Sequence, residues 1–182
     1  MRFEPTLILG VAIVELEPHV DERGFFARAH CPDEFAVAGY PFSPVQTSIS
    51  RNHAKGTLRG MHYQARPHGE AKLVRVVRGR IYDVALDLRP ESPTFMHWTA
   101  AELSADNGRA LLIPEGVAHG FLTLEPESDI LYQIDRMFEP GHGRAVRWND
   151  PVFAIEWPAA PDVISAADAS LPDFGAESAG ER

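Results

Sequence analysis

Apolar and polar side chains alternate with a period of two through much of the chain between residues 45 and 138, the spacing of strands that turn one face to a core. The segments Val45–Ser50, Leu58–Tyr63, Lys72–Val77, Ile81–Leu88, Trp98–Leu103, Ala110–Ile113 and Ile130–Phe138 are predicted strands. Between them, Arg78-Gly79-Arg80 reads as a tight hairpin and Arg89-Pro90-Glu91-Ser92-Pro93 as a proline-pinned loop. Asp106-Asn107-Gly108 is a turn of residues that tolerate positive φ. Helical signals are few: Pro32–Ala38 with proline in the first turn, and a short segment from Ser165 to Asp168 with Ser165 as cap. The pattern predicts an all-β fold, a sandwich or closed β-barrel with short peripheral helices.

The 182 residues, 45% hydrophobic and 24% charged, fit one globular domain with its own core, placed at residues 1–175. Residues 176–182 are small and polar and are expected to form a frayed tail. The apolar run Thr6–Val14 is too short to cross a bilayer, is broken by Gly10, and has neither a basic leader nor a small-residue cleavage site. A cytoplasmic protein with no membrane partner is expected. Cys31 is the only cysteine, which excludes an intrachain disulfide and a cysteine-rich metal site. A formal charge of −9 argues against nucleic acid as partner, but leaves room for a small anionic substrate held by a few arginines.

Two segments carry the chemistry. From Gly108 to His119 the chain reads Gly, five residues, Pro114-Glu115-Gly116, two residues, His119, which resembles the second signature of cupin barrels. Upstream, Gly56-Thr57-Leu58-Arg59-Gly60-Met61-His62-Tyr63-Gln64 begins the first signature, but Gln64 stands where a metal-binding cupin has its second histidine. The resemblance implies a cupin, or jelly-roll, β-barrel around a pocket. Of a metal-binding set only His62 and His119 are in place, with Glu70 one or two positions late and His68 as a substitute ligand. Metal-free chemistry is therefore the favoured expectation, and a metal-dependent cupin enzyme such as a dioxygenase the alternative.

Three further residues admit a structural and a chemical reading. Strict alternation would place His62 with Leu58 and Gln64, and Arg59 on the opposite face, unless Gly60 marks a bulge that re-aims its neighbours. Lys72 shares a face with Val74 and Val76, so its stem crosses apolar surface near a barrel mouth; within a pocket its cation would stabilise an oxyanion. Tyr132 is a core aromatic, or a phenol able to deliver a proton.

Several segments in order resemble the dTDP-4-dehydrorhamnose 3,5-epimerase family: Asp21–Phe26, Gly56–Gln64, Ala71–Arg75, Tyr82–Arg89 with Ser92–Phe95, Ile113–Phe121 and Trp148–Pro151. The resemblance implies a homodimeric, cofactor-free and metal-free barrel that inverts carbons beside the C4 ketone of a nucleotide-linked 4-keto-6-deoxy hexose. It implies His62 as base, Asp168 as the carboxylate that orients it, Tyr132 as acid and Lys72 as the cation facing the enolate. It also implies that Arg23, Gln46, Ser48, Arg59, His119 and Phe138 contact the nucleotide sugar, with Phe138 where a base-stacking tyrosine is common. Arg28, Thr47, Ser48 and Gly143 depart from the family pattern, and all four fall on nucleotide recognition. The resemblance thus leaves open a CDP-, GDP- or UDP-linked sugar, and epimerisation at C3, C5 or both.

Overall fold

The structure, a computed structural model, describes residues 1–175; the expected tail, 176–182, lies outside the described residues. In chain order the strands are β1 (Arg2–Pro5), β2 (Ala12–Glu15), β3 (His19–Asp21), β4 (Gly24–Phe26), β5 (Gln46–Asn52), β6 (Thr57–Gln64) and β7 (Lys72–Arg78). They continue with β8 (Arg80–Asp87), β9 (Trp98–Ser104), β10 (Ala110–Ile113), β11 (Val117–Thr123), β12 (Ser128–Ile134), β13 (Gly143–Ala145) and β14 (Val163–Ile164). Helix α1 (Pro32–Val37) and helix α2 (Ala166–Ala169) are the two short helices expected from the sequence.

One sheet runs β1-β2-β10-β7-β12-β5 and the other β13-β6-β11-β8-β9, with β14 added beside β6. Their facing sides enclose a shared apolar core of Val74, Val76, Leu111, Ile113 and Ile130 from the first sheet against Ile81, Ala85, Leu103, Val117 and Phe121 from the second. The outer side of the first sheet buries Leu73, Ala110 and Leu112 under Phe35 of α1 and Phe42. The outer side of the second buries Met61, Val84, Leu86 and Ala118 under Val146 and Phe153. This double coverage explains why β8 and β11 are buried almost throughout and lack the alternation of a one-sided strand. The result is the jelly-roll barrel.

Two local expectations need correction. Arg78-Gly79-Arg80 is not a hairpin: β7 and β8 belong to different sheets, and the turn carries the chain from one to the other. Gly79 makes that passage with φ +78°, and a Cβ there would lie 2.4 Å from the Ser128 Oγ. The last strand of the first sheet ends at Ile134 rather than Phe138, because the Asp135 carboxylate accepts the Ala71 N–H at 2.7 Å and the chain turns away. That turn frees Phe138 to stand over the barrel mouth.

Candidate active site

The site begins with a bulge. On β6 and β11, His62 is opposite His119 and Arg59 opposite Phe121, so three steps on β6 match two on β11. Gly60 sits in the slip with φ +143°, and a Cβ there would come within 2.5 Å of Gly120 Cα. Two glycines let the strands close where any side chain would part them. The extra residue brings Arg59 and His62, which strict alternation would separate, to the wall of one cavity.

That cavity, about 280 Å³, is also lined by Ser48, Lys72, His119 and Tyr132. A second, of about 370 Å³, shares His62 and Lys72 and is bounded by Phe138, Gly143 and Asp168. The two form one cleft at the barrel mouth, with His62 and Lys72 at the junction.

Asp168 reaches His62 across 106 residues of chain, its Oδ1 2.6 Å from the His62 Nε2. The approach is set by β14, whose Val163 and Ile164 run parallel to Thr57 and Leu58 of β6 and deliver the chain to Ser165. The Ser165 Oγ then accepts the Asp168 N–H at 3.0 Å, the N-cap that starts α2. Asp168 is buried, whereas the His62 side chain is 46% exposed toward the cleft.

A second imidazole and carboxylate lie deeper. His119 Nε2 is 2.7 Å from Asp83 Oδ1, both buried, and Asp83 Oδ2 has no partner among the described residues. Desolvation pushes the Asp83 carboxyl above its ordinary range, opposed by the charge and hydrogen bond of His119. Tyr132 packs edge-on against His119 with ring centroids 5.7 Å apart. Burial, and secondarily the Asp83 charge, push the Tyr132 phenol well above its ordinary pKa, while Arg59 opposes the shift. The phenol is thereby kept protonated.

The cleft's cations and polar walls are held in place. Lys72 Nζ lies 3.0 Å from Glu70 Oε1, and the other Glu70 oxygen accepts from Gln64 Nε2 at 3.0 Å. Arg59 Nε donates to Asn52 Oδ1 at 2.9 Å. Two glutamines from different sheets fix the loop above: Gln46 Oε1 accepts the Phe138 N–H and Gln64 Oε1 the Glu139 N–H, each at 3.1 Å.

His62, Lys72, Tyr132, Asp168, Ser48, Arg59, His119 and Phe138 therefore meet around one cleft, with Gln46 fastening its upper loop. Arg23 does not join them in this chain: it sits on the exposed β3–β4 hairpin and pairs with Asp21 at 2.5 Å. Of the departing positions, Arg28 is bound to Glu34, Thr47 is exposed away from the cleft lining, and Gly143 edges the cleft. The residues considered for a metal are engaged elsewhere, Glu70 by Lys72 and Gln64, and His68 against the ring of His142 at 4.0 Å. Among the described residues no three His, Cys, Asp or Glu side chains converge as a ligand set.

Sequence reasoning overlooked Asp83 and the roles of Asn52, Glu70 and Gln64. For Asp83 a signal was present: a carboxylate on the same strand face as Ile81 and Ala85 has to find a partner in the core.

The profile of the dTDP-4-dehydrorhamnose 3,5-epimerase family matches residues 5–176. A dTDP-4-dehydrorhamnose 3,5-epimerase of Pseudomonas aeruginosa is 45% identical over 149 residues, covering 80% of this chain and 81% of that one. A dTDP-4-dehydrorhamnose 3-epimerase of Streptomyces niveus is 36% identical, covering 92% and 81% respectively. The crystal structure of the 3,5-epimerase of Bacillus anthracis with TDP and pyrophosphate bound superposes with a TM-score of 0.91 at 39% identity, covering 95% of this chain and 99% of that one.

Proposed function

Because the chain belongs to the dTDP-4-dehydrorhamnose 3,5-epimerase family, we propose that it is the isomerase that inverts C3 and C5 of a dTDP-linked 4-keto-6-deoxy hexose on the route to dTDP-rhamnose. The observation that carries this reading is the open imidazole of His62, tied to the buried carboxylate of Asp168 in a cleft shared with Lys72 and Tyr132.

The C4 ketone acidifies the hydrogens on its neighbouring carbons. His62 removes one from one face, and Asp168 fixes its tautomer and stabilises the imidazolium that forms. The electron pair moves onto the C4 oxygen, where the Lys72 ammonium faces the developing enolate. Tyr132, kept protonated by burial, returns a proton from the other face and so inverts the centre. Exchange with solvent resets both groups, and the sequence is redox-neutral, calling on no cofactor.

Arg59, His119, Ser48 and Gln46 contact the nucleotide sugar in this reading, and the Phe138 ring stacks on the base. Arg23 acts from a second copy: the hairpin that carries it leaves Val20, Phe25 and Phe26 exposed, as does edge strand β5 with Ile49, which fits a homodimer. No helix among the described residues is long and apolar enough to cross a membrane, and a water-soluble nucleotide sugar suits work in the cytoplasm.

Solvent deuterium exchange tests the proposal. Incubated in D₂O with dTDP-4-keto-6-deoxyglucose, the protein is expected to wash deuterium into both C3 and C5, faster than into the CDP-, GDP- and UDP-linked sugars. No exchange with any of the four would refute it. Exchange at C3 alone would instead place the chain with its Streptomyces niveus relative.

A further inference from the structure

Lys72 is not a free cation. Its ammonium, on a side chain only 12% exposed, lies 3.0 Å from one oxygen of Glu70, whose side chain is 10% exposed. An ammonium so far withdrawn from water needs a counter-charge, and here it is a carboxylate two residues away on the approach to the same strand. The carboxylate is itself aimed. Its second oxygen is held by Gln64 Nε2, which also donates to the His68 carbonyl at 3.0 Å, while Gln64 Oε1 takes the Glu139 N–H. Gln64 is 4% exposed, so this linkage is a fixed part of the wall and not a surface contact.

We infer that Glu70 is a positioning residue for the enolate-facing cation: it holds the Lys72 ammonium at the junction of the two cavities and neutralises it until negative charge develops on the substrate, with Gln64 fixing the carboxylate. This rests on the proposed function for the identity of the reaction, but not for the pairing itself. A lysine exposes three N–H donors, so one stays on Glu70 while another faces the C4 oxygen. Glu70 does not touch the reacting atoms; it sets where the cation waits and how strongly it is already satisfied.

The test uses Glu70→Ala and Glu70→Gln in the full chain. With the dTDP keto sugar, Glu70→Ala is expected to lower kcat and C3/C5 wash-in together by about tenfold or more, with KM changed by less than about threefold, as for an interaction strongest in the transition state. Glu70→Gln keeps an acceptor for the ammonium and is expected to recover part of the loss. Gln64→Ala is expected to be weaker and not additive with Glu70→Ala, since both act on one linkage.

An activity-independent readout comes from the lysine content: Lys55 and Lys72 are the only lysines, and Lys55 is exposed. Under an acylating reagent, Lys72 should be modified several-fold faster relative to Lys55 in Glu70→Ala than in the parent protein, followed by peptide mass spectrometry. Parent-like kcat together with parent-like Lys72 labelling would overturn the inference. So would a loss carried entirely by KM with labelling unchanged. Should the parent protein show no exchange at all, the proposed function falls, and the labelling alone decides whether Glu70 holds Lys72.

Discussion

His62 with Asp168 and His119 with Asp83 are the same chemical pair built twice, on register-opposed residues of neighbouring strands, with nearly equal separations of 2.6 and 2.7 Å. They differ in access. His62 opens to the cleft and takes its carboxylate from a helix on the far end of the described chain, whereas His119 and Asp83 are enclosed by the two strands that bear them. An imidazole that exchanges protons with substrate and solvent needs one open nitrogen and one anchored. An enclosed imidazole is better suited to hold a fixed donor or acceptor toward the sugar and to shape the field around Tyr132. On the proposed function, equal hydrogen bonds would thus serve a base in one place and a binding group in the other.

The sharpest break of this contrast is His62→Ala, which should cut deuterium wash-in by about 10³-fold or more if His62 is the base. His119→Ala should leave measurable exchange; equal losses in the two variants would erase the distinction. Asp168→Asn should reduce kcat by about a hundredfold, since the imidazolium loses its counter-charge and the tautomer is no longer dictated. His119→Asn should lower kcat/KM by about tenfold, mostly through KM, read from initial rates.

A subtler test concerns pH. An acid works below its pKa, and the Asp83 charge is one of the causes raising that of Tyr132. Asp83→Asn should therefore bring the alkaline limb of kcat/KM to lower pH, and an unmoved limb would detach the buried pair from Tyr132. The smallest effect expected is that of Ser165→Ala: loss of the cap should cost about 1 kcal/mol in helix stability. It should loosen Asp168 enough to lower kcat a few-fold while leaving dTDP binding, measured by calorimetry, intact.

Much of the barrel was legible because period-two patterning reports a strand with one buried face, and β7, β9 and β10 fall within a residue or so of expectation. The strand Val117–Thr123 carried no such alternation, since both of its faces are covered. Pattern also marks where a strand stops without saying which sheet the next joins, hence the misread turn at Gly79. In the site, His62, Lys72, Tyr132 and Asp168 were named by the family resemblance and stand around one cleft, and Gly60 correctly signalled the bulge that turns Arg59 toward them. Glu70 was weighed as a metal ligand because spacing alone does not distinguish a carboxylate that faces a histidine from one that faces an ammonium. Nor could spacing show that Arg23 stands on a ribbon apart from the cleft of its own chain.

The parallel pairing of β14 with β6 also has a consequence in time. The strand bearing His62 is synthesised a hundred residues before its carboxylate, so a nascent chain can assemble most of both sheets while its imidazole is still unoriented. On the proposed function, full activity waits until residues 163–168 have emerged and docked, and a chain interrupted before that point would lose at least the roughly hundredfold in kcat expected of Asp168→Asn, together with one wall of the cleft.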